Sequence, residues 1–165
     1  MKVIVVSPGR LHAFDLAFQL QRYGVLKQLV TGYPKFEVVK YGIKRPLVKA
    51  IYINEIINRL TYKLFNDYRF DYLACELFDL YNSYTIDTSA DIYIIWSSYA
   101  EHTIKKIKSS NKNAIIILER GSSHIELQEE ILSNNTGKAV INKKIIQKEI
   151  NEYSLADYIS IPSLF

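Results

Sequence analysis

Short, wholly apolar runs alternate along this chain with stretches whose apolar positions recur every three to four residues. Lys2–Ser7 is a Val/Ile run that ends on the turn signal Ser7-Pro8-Gly9, which predicts a buried strand. Ala13 to Tyr23 follows with Ala13, Leu16, Ala17, Leu20 and Tyr23 on one helical face, and Gly24 stands where a C-terminal cap belongs. Leu26–Thr31 predicts a second strand, stopped by Gly32-Tyr33-Pro34. A long helix is predicted from Pro46 to Phe65, with Ile53, Ile56, Ile57, Leu60 and Leu64 as its core stripe. A tyrosine-rich helix is predicted over Asp71 to Tyr84, where the aromatic content keeps a strand open as the rival.

The second half repeats the alternation. Asp91–Trp96 predicts a strand, Tyr99 to Ser110 a basic helix, and Ala114–Glu119 the most apolar strand. Ser123 and Glu126 form a capping-box pattern at the start of another helix. Asn134 to Gly137 interrupts that helix, Lys138–Tyr153 resumes it, and Asp157–Ile161 predicts a last strand before Pro162. Strands without polar alternation, separated by helices, imply an α/β protein: a mostly parallel sheet with helices on both faces. Ligands of such sheets bind beyond the carboxyl ends of the strands. Here those ends are Ser7–His12, Thr31–Phe36, Ser97–Tyr99 and Glu119–His124, where Arg10, His12, Glu119, Arg120, Ser122 and His124 concentrate.

Composition narrows the class. With 165 residues, 48% hydrophobic and 23% charged, the chain is about one globular domain long, which excludes a disordered tail or a disulfide scaffold. No run approaches a membrane span or a signal-peptide core. The single cysteine, Cys75, cannot close an internal disulfide, which fits a reducing cytoplasm. The formal charge of +4 is local: between Lys35 and Asn66 seven basic residues face two acids, a segment of +5, so the rest sums to −1. Such a segment is either a solvated lysine-rich face or a contact for an anionic partner.

The loops exclude some chemistry. Ser7-Pro8-Gly9-Arg10-Leu11-His12 holds one glycine, so it is no G-x-G-x-x-G dinucleotide fingerprint, and no phosphate-cradling Gly-Lys-Ser/Thr loop exists. No cluster has metal-ligand spacing, and the basic segment carries no recognised nucleic-acid motif. Glu119-Arg120-Gly121-Ser122-Ser123-His124 is the richest constellation: charge, hydroxyls and an imidazole follow directly on an apolar strand. Ser123 reads as a helix cap, and Glu119 and Arg120 either pair with each other or face the crevice.

The runs Leu11-His12-Ala13-Phe14-Asp15-Leu16-Ala17, Thr31-Gly32-Tyr33-Pro34-Lys35 and Leu118-Glu119-Arg120-Gly121-Ser122-Ser123-His124 resemble a group of family 4 glycosyltransferases. So do Glu152-Tyr153-Ser154-Leu155-Ala156-Asp157-Tyr158-Ile159 and Ile161-Pro162-Ser163-Leu164-Phe165, and the blocks fall in the family's order. The resemblance covers the Rossmann-like, acceptor-binding N-terminal domain of a two-domain GT-B enzyme over residues 1–165; the donor-binding domain lies outside it. It implies a fragment of a longer enzyme or, as the lesser expectation, one half of a split enzyme. The implied reaction is retaining transfer of a sugar from a nucleotide-sugar donor to a polysaccharide, glycolipid or glycan acceptor, without cofactor or metal.

On that resemblance Gly9, Arg10, His12, Tyr33, Ser97 and Ser122 are the expected substrate-binding residues. Glu119, Arg120 and His124 line the cleft as catalytic candidates, with no general base assigned. Lipid-linked acceptors imply a peripheral position on the inner face of the cytoplasmic membrane, docked through the segment Lys35–Asn66. The alternatives are a non-catalytic interaction or regulatory module on the same fold, and a flavodoxin-like small-molecule-binding domain.

Overall fold

Six strands form one all-parallel sheet in the computed structural model of the protein, which describes residues 1–52 and 71–162. The strands are β1 (Val3–Ser7), β2 (Leu26–Thr31), β3 (Val48–Ala50), β4 (Ile92–Trp96), β5 (Ile115–Glu119) and β6 (Tyr158–Ser160), in the order β3-β2-β1-β4-β5-β6. The order reverses between β1 and β4. That is the switch point where loops of consecutive units diverge and leave a crevice.

The helices are α1 (Ala13–Arg22), α2 (Lys35–Val39), α3 (Asp71–Thr85), α4 (Glu101–Ser110), α5 (Ile125–Thr136) and α6 (Lys143–Leu155). One core packs α1 and α2 on one sheet face, through Phe14, Ala17 and Val38 against Val5, Leu29, Val48 and Trp96. The opposite core joins Ile4, Val6, Tyr93, Ile95, Ile116 and Leu118 to Phe78 of α3, Ile104 and Ile107 of α4, and Tyr153 and Leu155 of α6. Every residue of β1 is buried, as a central strand covered on both faces requires. Each large side chain such as Phe14, with no exposed surface, contributes about 1.5–3 kcal/mol.

Three features depart from the sequence expectations. The predicted helix from Pro46 does not begin there: Arg45–Leu47 is a single 3₁₀ turn and Val48–Ala50 is β3. Val48 pairs with Leu29, so the open edge of β2 captures a β-branched residue that periodicity assigned to a helix. The whole predicted core stripe, Ile53 to Leu64, lies outside the described residues. Lys35–Val39, expected as loop, is helical.

The third departure is at α5. His124, not Ser123, caps the helix: its Nδ1 accepts from the Glu126 N–H at 3.4 Å. Ser123 instead supplies its carbonyl to Arg120 Nε at 3.0 Å. The same helix runs through Asn134 and ends at Gly137, whose φ of +71° suits a glycine in the left-handed cap position. α6 starts at Lys143 rather than Lys138, because Asn142 caps it by accepting from Lys144 N–H at 2.9 Å.

Candidate functional site

The loops after β1, β4 and β5 meet at the switch point. Trp96 and Glu119, the last residues of β4 and β5, are register partners and therefore point to the same sheet face. His12, at the amino end of α1, lies over both. Its ring centroid is 5.1 Å from that of Trp96, and its Nε2 is 3.0 Å from Glu119 Oε1. The imidazole is 57% exposed while the Glu119 side chain is 13% exposed, so a shielded carboxylate orients an accessible ring. With Nε2–H donating to Glu119, the neutral ring keeps Nδ1 as an acceptor. Gly121 closes the group: a Cβ there would sit 3.9 Å from His12 Cε1.

Two backbone conformations stand out beside this cluster. Leu11, after β1, has φ +36°, and Ser98, after β4, has φ +71°. Non-glycine residues adopt this region at a cost of about 1–3 kcal/mol, and such strain collects where surrounding structure fixes a functional loop. The amino end of α1 has no side-chain cap. By contrast α4 begins under two carboxylates: Asp79 accepts from His102 and Thr103 N–H, and Glu152 from Ala100 and Glu101 N–H. The uncapped end of α1 directs its partial positive charge toward the crevice, where an anion or a sugar oxygen gains from it.

Of the residues that the sequence singled out, the structure joins His12 and Glu119. Arg10 stands nearby, exposed, with its guanidinium 4.5 Å from the Tyr41 ring centroid. Tyr33 packs edge-on against Phe14 at 5.5 Å, and Ser97 donates its N–H to the Glu119 carbonyl at 3.1 Å. Gly9 is half-buried, with the Ser7 hydroxyl donating to its carbonyl at 2.9 Å. Ser122 and Arg120 both donate to Gln128 Oε1. Arg120 does not pair with Glu119: its Nε lies 3.4 Å from Glu149 Oε2, in a contact where the two side chains are 11% and 1% exposed. His124 caps α5, and its ring packs tilted against Tyr153 with centroids 4.9 Å apart.

Arg120 thus belongs to a second polar group that the sequence did not reveal. Lys148 binds Glu76 and the fully buried Asp79, and the Ser98 hydroxyl donates to Glu149. Glu152 accepts from Ser98 N–H at 2.7 Å and from Ala100 N–H at 2.8 Å. Burial raises the Glu152 carboxyl to about 8, against the pull of the backbone N–H groups and Lys148. Burial also works against the Lys148 ammonium, yet Asp79 and Glu76 more than offset it and its pKa is raised. This group clamps the strained β4–α4 loop from below. Trp96 was missed as well: its indole N–H is buried and has no hydrogen-bond partner among the described residues. The one signal was that the chain's sole tryptophan ends a strand.

No protein-family model and no curated protein matches the sequence. A solved structure does match: a Listeria monocytogenes protein described as a UDP-N-acetylglucosamine 2-epimerase. The TM-score is 0.50 at 11% identity, over 99% of this chain and 38% of that one. The fold is Rossmann-like and of GT-B type. This chain spans under two-fifths of that neighbour's length, and the match carries the fold, not membership of glycosyltransferase family 4. Among the described residues no group of His, Cys, Asp or Glu is arranged to hold a metal ion, and no helix is long and apolar enough to cross a membrane.

Proposed function

We propose that this chain is the acceptor-binding half of a retaining glycosyltransferase, acting with a donor-binding domain supplied in cis or in trans. The observation that carries the reading is the His12–Glu119 pair at 3.0 Å, set on Trp96 at the carboxyl ends of adjacent parallel strands. The GT-B-type fold and the family 4 resemblance of the loops around that pair supply the chemistry.

In this reading the acceptor hydroxyl donates to His12 Nδ1 while Glu119 fixes the ring through Nε2. Glu119 also stabilises positive charge on the imidazole if the proton moves to it, the role a shielded carboxylate plays beside a histidine. Arg10 and the uncapped end of α1 face the anionic leaving group and add electrostatic support as charge develops on it. Trp96, 5% exposed, is the apolar bed that holds the His12 ring in place. Arg120 is a positioning residue: it acts through Glu149 on the Ser98 loop.

Titration of oligosaccharide and glycolipid acceptors into the chain tests the proposal. The wild type binds, and His12→Ala and Glu119→Gln each weaken binding about tenfold, the size of one lost hydrogen bond to a charged or polarised group. Alone, the chain transfers no sugar from any nucleotide sugar. Turnover by the chain alone overturns the assignment to the acceptor half, and acceptor binding unchanged in both variants removes His12 and Glu119 from the site.

A further inference from the structure

The β4–α4 loop hangs from two carboxyls of α6. Glu152 accepts from the Ser98 N–H through Oε2 at 2.7 Å. Through Oε1 it accepts from the Ala100 and Glu101 N–H groups at 2.8 and 3.2 Å. One helical turn earlier, Glu149 accepts from the Ser98 hydroxyl. Ser98 keeps its φ of +71° between these two holds. The same loop leads straight into the crevice. Trp96 is the register partner of Glu119, the Ser97 N–H donates to the Glu119 carbonyl, and the His12 ring lies on Trp96.

Charge in the buried group does not balance. Lys148 pairs with Asp79 and Glu76 of α3, and Arg120, after β5, pairs with Glu149. Glu152 is fully buried and contacts no cationic side chain among the described residues. On α4, His102 contacts Glu76 and Glu101 contacts Lys105, so neither brings Glu152 a counter-charge. Cys75 of α3 and Tyr99 are hydrogen-bonded to each other beside Asp71, and Tyr153 donates to Glu149. Burial pushes the Cys75 thiol up to about 12 and raises both phenols, so these three stay neutral while Glu152 titrates. A buried carboxylate without a cation is costly, and it is relieved by keeping its proton or by admitting water.

We propose that Glu152 is a positioning residue for the His12–Glu119 crevice and makes its shape depend on pH. With its proton in place, Glu152 holds the β4–α4 loop in the strained form. When the proton leaves, the loop moves outward so that water reaches the charge, and the release of Ser98 from its left-handed conformation favours that movement. Trp96 and Ser97 shift with it, and the support beneath His12 and Glu119 loosens. Burial, which holds this carboxyl at about 8, puts the change just above neutrality. The coupling rests on the crevice being the site of the preceding reading, yet its test needs no saccharide, so failure of one is separate from failure of the other.

Trp96 is the chain's sole tryptophan, so its emission reports on the loop directly. Emission of the full chain is followed from about pH 6 to about pH 9, below the ordinary range of tyrosine ionisation. The expected result is one reversible transition with its midpoint at about pH 8, while far-ultraviolet circular dichroism stays constant. Glu152→Gln keeps the shape and the acceptor oxygen but cannot ionise, and it removes the transition. His12→Ala keeps the transition although the imidazole lies on the indole. No transition in the wild type, one that persists in Glu152→Gln, or one lost in His12→Ala overturns the proposal. So does a loss of helical signal over the same range, which would make the change global unfolding. If Glu152→Gln does not fold, the carbon shift of the Glu152 carboxyl in the isotope-labelled wild type decides: it titrates with the midpoint of the emission change, and a different midpoint overturns the coupling.

Discussion

Around His12 and Glu119 ionisable groups meet at a rim with solvent on one side; around Lys148, Glu149 and Glu152 they meet with none. Both groups touch loops at the carboxyl end of the sheet. The open pair has one direct polar contact and an accessible imidazole, so a ligand can compete for it. In the closed group, Asp79 and Glu152 each accept several hydrogen bonds and leave no room for a ligand. The difference separates two uses of charge. One group is open to a ligand, and the other holds the β4–α4 loop in a conformation that Ser98 alone would not adopt.

Removing a member of the closed group has the largest expected effect. Lys148→Met leaves the buried Asp79 without its cation and Glu76 with only His102, and costs about 3–5 kcal/mol in urea unfolding. Arg120→Ala follows at about 2–3 kcal/mol, because Glu149 is left 1% exposed without its guanidinium. If Arg120→Ala unfolds like the wild type and only binding suffers, the two groups are not distinct.

A pH measurement sharpens the contrast. The folded-state pKa of Glu152 is about 8, above its ordinary value of 4.5, so between those values the folded protein binds more proton than the unfolded chain. The Glu152 contribution to stability is therefore fully present below about pH 4.5, falls as pH rises toward 8, and is constant above it. Glu152→Gln removes that slope from stability measured across the window, and an unchanged slope contradicts the assignment.

The open group answers differently. His12→Ala changes stability by less than about 1 kcal/mol, as expected for a half-exposed pair. Leu11→Gly has the smallest effect. Relief of a φ of +36° offsets the added freedom of the unfolded chain, so the melting curve moves little. A large loss there would mean that the Leu11 side chain, not its backbone, is what the loop needs.

The open group was legible in sequence because strand ends collect polar residues when strand interiors exclude them: His12 and Glu119 follow β1 and end β5. The six parallel strands were legible for the same reason, except β3, which is three residues long and begins beside a proline that also suits a helix start. The closed group was not legible. Asp79, Lys148 and Glu152 look like ordinary solvated positions on amphipathic helices, and only the packing of α3, α4 and α6 brings residues some seventy positions apart into contact. Arg120 sits one residue from Glu119 and yet serves the other group. Adjacent residues at a strand end point to opposite sides, and sequence proximity hides that.

The most direct test of the division is an amide chemical-shift map of the isotope-labelled chain as a saccharide acceptor is added. The account predicts that shifts concentrate at residues 9–12, 96–98 and 119–122, while the amides of Lys148, Glu149 and Glu152 stay in place. Shifts centred on α6, or spread evenly over both groups, would contradict it.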